Sequence, residues 1–142
     1  MGVGIGIDFA RAGFDVSLLN RSADSSGKAM ARSRKALELM ASAGLITSQA
    51  AGDAFAHLEP TTDIETAARG AGYVVESVQE ELSLKKEVFR QLDALCPPPA
   101  ILATNTSSIR PTVIAAAVDH PERVVVTHYF HPEHLVPLVE IV

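Results

Sequence analysis

Short apolar runs alternate with helical stretches along the chain, which is the pattern of a parallel sheet covered by helices. Strands are predicted at residues 15–20, 56–59, 73–76, 101–104 and 124–128. Helices are predicted at residues 2–12, 28–43, 63–69 and 81–95, with a further short helix that begins at Pro111. No long linker separates these elements, so the pattern predicts one α/β domain.

The composition is that of a folded domain, and the net charge limits the classes of molecule that it is expected to bind. The chain has 142 residues, 47% of them hydrophobic and 20% charged, which is typical of one globular domain. A net charge of −5 disfavours nucleic acid and anionic membranes, so small molecules are the expected partners. The single Cys96 cannot form an intrachain disulfide, and the first residues lack the layout of a secretory signal. We therefore expect a cytoplasmic protein.

Three glycines alternate at the start of the first predicted helix. Gly2, Gly4 and Gly6 allow the backbone to approach a phosphate group or a neighbouring sheet closely. Equally, three small residues can simply let a helix pack tightly. The glycines alone do not decide between these interpretations.

Four segments resemble one family in the same order along the chain. MGVGIGIDFARAGFDVSLLN resembles the later part of the dinucleotide fingerprint of the 3-hydroxyacyl-CoA dehydrogenase family, with Gly2 at its third glycine. The other segments are VVESVQEELSLKKEVFRQLD, ILATNTSSI and HPERVVVTHYFHPEHLVPLVEIV. This resemblance implies a Rossmann-like, doubly wound, mostly parallel sheet that binds NAD. It also implies an oxidoreductase that transfers hydride between nicotinamide and an L-3-hydroxyacyl-CoA, in fatty acid metabolism.

Family members have more sequence on both sides of the matching region. A first strand and two phosphate-turn glycines precede the residue that matches Met1, and an all-helical domain follows the position that matches Val142. We therefore expect residues 1–142 to be a partial dinucleotide-binding domain that lacks the first strand and is inactive by itself. The resemblance implies that the intact protein is a homodimer.

The predicted catalytic chemistry centres on a histidine. His128 follows the apolar run VVVT, so it should lie at the C-terminal end of a strand, the edge where open α/β sheets bind ligands. Glu140 lies twelve residues later, and a turn through the intervening prolines would return its carboxylate to the imidazole. By resemblance, His128 and Glu140 are the catalytic pair and Ser107 lies near the reacting oxygen of the substrate. Without the resemblance, His128 is an ordinary surface histidine.

The resemblance also implies cofactor contacts at Gly2, Glu80, Lys85 and Asn105. Without the resemblance, the simpler interpretation is that Glu80 and Lys85 belong to a solvated helix start and that the polar loop at Asn105 is only a turn or helix cap. The family usually has an acid after the second strand to hold the ribose hydroxyls, and this sequence departs from that pattern. Asn20 stands at the position, followed by Arg21, and a neutral side chain beside a guanidinium would also accept the 2′-phosphate of NADP.

Two alternatives to this function stay open. One is that the enzyme acts on a free hydroxy acid, and the other is that the chain is a non-catalytic remnant or interaction module. His131 replaces the asparagine of the family pattern H-x-F-N-P. Together with His128 and His134 it invites a zinc interpretation, but the intervening proline and the spacing fit no zinc motif, so no metal is predicted.

Overall fold

The computed structural model describes all 142 residues and contains six α-helices, one short 3-10 helix at Pro121–Arg123 and six strands. The helices are α1 Gly2–Arg11, α2 Ala23–Ser42, α3 Ser48–Ala56, α4 Ile64–Ala68, α5 Leu82–Leu95 and α6 Pro111–Ala115. The strands are β1 Val16–Leu19, β2 Leu58–Thr61, β3 Tyr73–Glu76, β4 Ile101–Thr104, β5 Val124–Tyr129 and β6 Val139–Ile141. The chain forms two compact units, residues 1–67 with 131–136 and residues 68–130 with 137–142.

In the first unit, β1 and β2 form a parallel pair on which α1 packs closely. A methyl group added at Gly6 would lie 2.8 Å from Cδ2 of Leu18, so a larger residue would require the Leu18 side chain or the helix to move. The helix and strand share a buried core that consists of Ile7, Ala10, Leu18, Leu37, Ala51, Ala54 and Leu58. For Gly6, the structure therefore supports close approach to the sheet.

In the second unit, β3, β4 and β5 are parallel, and β6 pairs antiparallel with β5. Helix α5 buries Phe89 and Leu92, and α6 buries Ile114. Parallel strands end at the same edge of a sheet, so the residues that follow β3 and β4 gather beside the end of β5. The prediction of a mostly parallel α/β fold is confirmed.

The predicted start of the second helix is wrong. Helix α2 begins at Ala23 and not at Lys28, because Ser22 and Ser25 form a capping box. The Ser25 amide donates to Oγ of Ser22 at 3.2 Å, and the Ser22 amide donates to Oγ of Ser25 at 3.0 Å. Two helix-end amides are thereby satisfied, which offsets the weak helix propensity of the serines and the glycine in this turn.

The segment between α2 and β3 also differs from its prediction. Helix α3 precedes a strand that is shifted two residues from the predicted 56–59, and Pro60 lies inside that strand. Pro60 is opposite Leu18 in the register. A strand with one partner tolerates a residue without an N–H, because the unpaired side of the strand needs no donor.

A buried ion pair in the second unit ties the end of α5 to the start of β5. Asp93 accepts hydrogen bonds from the Arg123 guanidinium and from the amides of Asp119, at 2.9 Å, and His120, at 3.2 Å. Arg123 also donates to the carbonyl of Pro97 at 2.9 Å. Burial raises the pKa of Asp93, but these hydrogen bonds outweigh burial and hold the pKa below its ordinary value.

The lowered pKa of Asp93 predicts acid sensitivity. Because the folded state favours the ionised carboxyl, its contribution is present near neutral pH and is lost as pH falls below about 4. We expect Asp93→Asn to lose about 2 kcal/mol of unfolding free energy at pH 7. The loss should shrink in acid, which urea unfolding at several pH values will measure. An equal loss at every pH would contradict the assignment.

Candidate active site

A cavity of about 200 Å³ in the second unit is lined by the loop after β4, the first residue of α6, strands β5 and β6, and the residue after β6. Its lining residues are Thr106, Ser107, Ser108, Ile109, Arg110, Pro111, Val126, His128, Glu140 and Val142. The three residues that were predicted to act in catalysis, Ser107, His128 and Glu140, thus line one cavity. Their chemical roles stay predictions.

The antiparallel pairing of β5 and β6 places Glu140 directly opposite His128. The imidazole Nδ1 lies 2.9 Å from Oε2 of Glu140, and the histidine side chain is 22% exposed. A carboxylate can only accept, so the contact requires the proton on Nδ1, and in the neutral imidazole Nε2 then has a free lone pair. The Phe130 ring packs 4.9 Å from the imidazole, centre to centre. The arrangement fixes the histidine's orientation and tautomer while one nitrogen remains able to accept a proton.

The loop after β4 carries the predicted residues Asn105 and Ser107. Oδ1 of Asn105 accepts from the Tyr129 amide at 2.8 Å, and the Asn105 amide donates to the Glu76 carbonyl at 2.9 Å. Asn105 therefore joins the ends of β3, β4 and β5. Ser107 is exposed. The structure gives Asn105 a clear structural role, and its contact with the cofactor stays a prediction.

A buried charge network lies beneath this loop and was only partly anticipated. Nζ of Lys85 donates to both oxygens of Glu76, at 2.9 and 3.0 Å, and lies 3.2 Å from Oε2 of Glu80. The Thr104 hydroxyl donates to Glu76 at 2.7 Å. The sequence interpretation missed Glu76, although a carboxylate at the end of an apolar strand is a usable signal. Lys85 is 1% exposed, so the solvated alternative for this residue is wrong.

Glu80 connects the network to the loop. Its carboxylate accepts from the hydroxyls of Thr106 and Ser108, the residues on either side of Ser107. Burial raises the pKa of Glu80, but these hydrogen bonds and the Lys85 ammonium outweigh burial and hold the pKa below its ordinary value. Glu80 is therefore ionised in the folded protein near neutral pH.

The other predicted cofactor residues lie in the first unit. Gly2 is the first residue of α1, and the carboxylate of Glu133 packs closely against Gly4, two residues further along. Asn20 follows β1, and its Nδ2 donates to the Leu18 carbonyl at 2.9 Å. Arg21 is exposed and precedes Ser22, the N-cap of α2. An exposed guanidinium at this position is able to meet a bound anion.

His131 and His134, the other two histidines of the zinc hypothesis, do not share a ligand group with His128. Nδ1 of His131 lies 3.1 Å from Oε1 of Glu133, and Nδ1 of His134 is buried without a hydrogen-bond partner. The structure brings no three histidine, cysteine, aspartate or glutamate side chains into a metal-binding group. None of its helices is long and apolar enough to span a membrane.

Comparison with known proteins gives the family. All 142 residues match the family described as "3-hydroxyacyl-CoA dehydrogenase, NAD binding domain". The chain belongs to this family. The predicted resemblance to the 3-hydroxyacyl-CoA dehydrogenase family is confirmed, and this is an oxidoreductase family that uses a nicotinamide cofactor.

Similar proteins agree in sequence and structure. Escherichia coli 3-hydroxyadipyl-CoA dehydrogenase is 39% identical over the whole chain, which covers 30% of that enzyme. Clostridioides difficile 3-hydroxybutyryl-CoA dehydrogenase is 34% identical over the whole chain, which covers 50% of that enzyme. A crystal structure of 3-hydroxybutyryl-CoA dehydrogenase from Escherichia coli superposes with a TM-score of 0.94 at 38% identity, covering 99% of this chain and 30% of the other. The chain thus spans half or less of the length of these relatives.

One buried serine in the second unit has a hydroxyl that a polar group of the cofactor would satisfy. Oγ of Ser77, directly after β3, is buried and has no hydrogen-bond partner in the protein. Buried hydroxyls are nearly always paired, so this one is suited to a polar group of a ligand. It lies at the edge where open α/β sheets bind dinucleotides. Sequence reasoning missed Ser77, and no pattern in the sequence distinguishes it.

Proposed function

We propose that the complete gene product is a dehydrogenase that oxidises the 3-hydroxyl of an L-3-hydroxyacyl-CoA with NAD. The observation that carries the proposal is the 2.9 Å contact between His128 and Glu140 beside Ser107 in one cavity. Oxidation of a secondary alcohol needs a base for the hydroxyl proton, and a histidine with a free Nε2 is suited to this task. The relatives' names, 3-hydroxybutyryl- and 3-hydroxyadipyl-CoA dehydrogenase, support the substrate class.

Each residue of the cavity has one role in this proposal. Nε2 of His128 accepts the hydroxyl proton, and Glu140 stabilises the imidazolium that forms. The Ser107 hydroxyl donates a hydrogen bond to the reacting oxygen. A bound nicotinamide would supply the acceptor for the hydride that leaves C3 of the substrate. The residues proposed to hold or border the cofactor are Gly2, Asn20, Arg21, Glu80, Lys85 and Asn105.

A substrate panel tests this function. Reduced nicotinamide should form when the complete gene product is mixed with NAD and 3-hydroxybutyryl-CoA or 3-hydroxyadipyl-CoA, and not with free 3-hydroxybutyrate. Faster turnover of the free acid would favour the hydroxy-acid alternative. No turnover of any substrate by a folded protein that binds NAD would support a non-catalytic interaction module. Fatty acid metabolism, a cytoplasmic location and a homodimer belong to the same proposal.

The choice between NAD and NADP depends on Asn20 and Arg21. NAD is the proposed cofactor because the family is an NAD-binding one, and NADP is a second candidate because Arg21 is exposed beside a neutral residue. If its guanidinium meets the 2′-phosphate, Arg21→Ala should weaken NADP binding by roughly tenfold and NAD binding far less. Calorimetry on both cofactors measures this difference.

Two further variants sharpen the cofactor test. Asn20→Asp should weaken NADP specifically, because a carboxylate repels the 2′-phosphate. Arg32→Ala, which removes an exposed arginine farther along α2, serves as the control and should change neither affinity. Equal losses for both cofactors in Arg21→Ala would remove the case for NADP.

A further inference from the structure

The hydroxyls of two residues that flank Ser107 converge on one carboxylate oxygen. Thr106 and Ser108 both donate to Oε1 of Glu80, the second at 2.9 Å. Oγ1 of Thr106 in turn accepts from the amides of Ser108, at 3.3 Å, and Ile109, at 3.0 Å. Glu80 therefore fixes the side chain around which the loop turns, and Ser107 lies between the two fixed residues.

The carboxylate of Glu80 is itself held from the interior. Its other oxygen, Oε2, lies 3.2 Å from Nζ of Lys85, whose side chain is 1% exposed. Nζ also donates to both oxygens of Glu76, which Thr104 contacts from β4. An ammonium with two carboxylate partners is pinned in place, so Lys85 presents a fixed charge to Glu80.

Glu80 is not required to neutralise the buried charge of Lys85. The buried charge of Lys85 is already neutralised by Glu76, which is equally buried. Glu80 is the second carboxylate on this cation and its side chain is 43% exposed, so the core does not need it to avoid an unpaired charge. What Glu80 adds is the pair of hydrogen bonds to the loop.

We propose that Glu80 is a positioning residue that holds the Ser107 loop, with Lys85 and Glu76 as its buried support. The consequence for turnover rests on the proposed function, because it requires that Ser107 meets the reacting oxygen. The effect on the loop does not depend on that function. Two experiments therefore separate the two claims.

Amide exchange in the 142-residue chain tests the loop directly. Glu80→Ala should speed exchange of the Ser108 and Ile109 amides by roughly tenfold or more, since the variant removes two hydrogen bonds to a charged acceptor. Amides of β4 should exchange as in the parent chain. Glu80→Gln keeps an oxygen acceptor for both hydroxyls, so it should restore part of the protection. The control is Glu81→Ala, which removes the neighbouring carboxylate that contacts Ser83.

The exchange results decide the proposal in either direction. Unchanged exchange at Ser108 and Ile109 in Glu80→Ala would overturn it. Equal acceleration across β4 would also overturn it, because Glu80 would then support the whole unit. The same local acceleration in the Glu81→Ala control would show that any nearby lost charge loosens the loop.

Kinetics of the complete gene product test the link to Ser107. With NAD saturating, Glu80→Ala should lower kcat with little change in KM for the acyl-CoA. Ser107→Ala should reduce kcat by a smaller factor in the Glu80→Ala background than by itself, because a misplaced hydroxyl already contributes little. Fully additive losses would contradict positioning of Ser107. Absence of dehydrogenase activity in the parent enzyme would instead refute the proposed function, and the exchange result would stand by itself.

Discussion

We expect His128→Gln to lower kcat of the complete gene product by roughly 10² to 10⁴, the range of general acid–base catalysis. Glutamine is similar in reach and polar, but its amide cannot accept the hydroxyl proton near neutral pH. The affinity for NAD should change little, because the proposed role of His128 concerns the substrate proton. Steady-state kinetics with 3-hydroxybutyryl-CoA, together with calorimetry for NAD, measure both quantities.

A second histidine of the same unit provides the matched control. His120 contacts Asp93 through Nδ1 at 3.3 Å and lies before β5, whereas His128 lies near the opposite end of that strand. His120→Gln should leave kcat within about twofold of the parent value if only His128 transfers a proton. Near-parental turnover in His128→Gln would show that another group is the base.

The second large effect is expected on stability. Lys85→Met should lose roughly 3 to 5 kcal/mol of unfolding free energy, because Glu76 would remain buried without its cation. Both side chains are 1% exposed, so water cannot replace the lost partner. A loss of this size should lower the melting temperature by about 10 to 20 °C. Urea unfolding and thermal unfolding followed by circular dichroism give the two values.

The neighbouring lysine separates this effect from the loss of a surface charge. Lys86→Met makes the same chemical change at a position with partial exposure and should stay within about 0.5 kcal/mol of the parent chain. Lys85→Met combined with Glu76→Gln should be more stable than Lys85→Met alone, because the uncompensated charge is gone. A Lys85→Met loss below about 1 kcal/mol would contradict the account of the buried pair.

The elements that sequence predicts best are those whose ends are marked by turn residues, prolines or polar residues. Strands β3 and β4 have the predicted bounds, since each is a short apolar run between turn residues or prolines and a polar residue. Helix α3 escaped prediction because alanine and glycine fill it and give little apolar period. The start of α2 escaped because its capping box uses Ser25 where a glutamate or glutamine is usual.

In the candidate site, the positions of some residues follow from their sequence neighbours, whereas their contacts depend on the tertiary fold. The strand-end position of His128 follows from its sequence neighbours, and the family resemblance points to Glu140. Their contact itself depends on the return of the chain as β6, which a spacing of twelve residues permits without requiring. The pairing of Glu76 with Lys85 connects a strand end to a helix interior. Local sequence carries no signal for such a pair, because packing alone brings its members together.

A double-mutant cycle on His128 and Glu140 tests the central claim most directly. kcat is measured for the parent enzyme, His128→Gln, Glu140→Gln and the double variant, each confirmed as folded. If Glu140 acts by orienting the imidazole and stabilising its charged form, the double variant will lose much less than the product of the two single losses. Losses that multiply in full would show that the two residues act independently, and would contradict the catalytic pair.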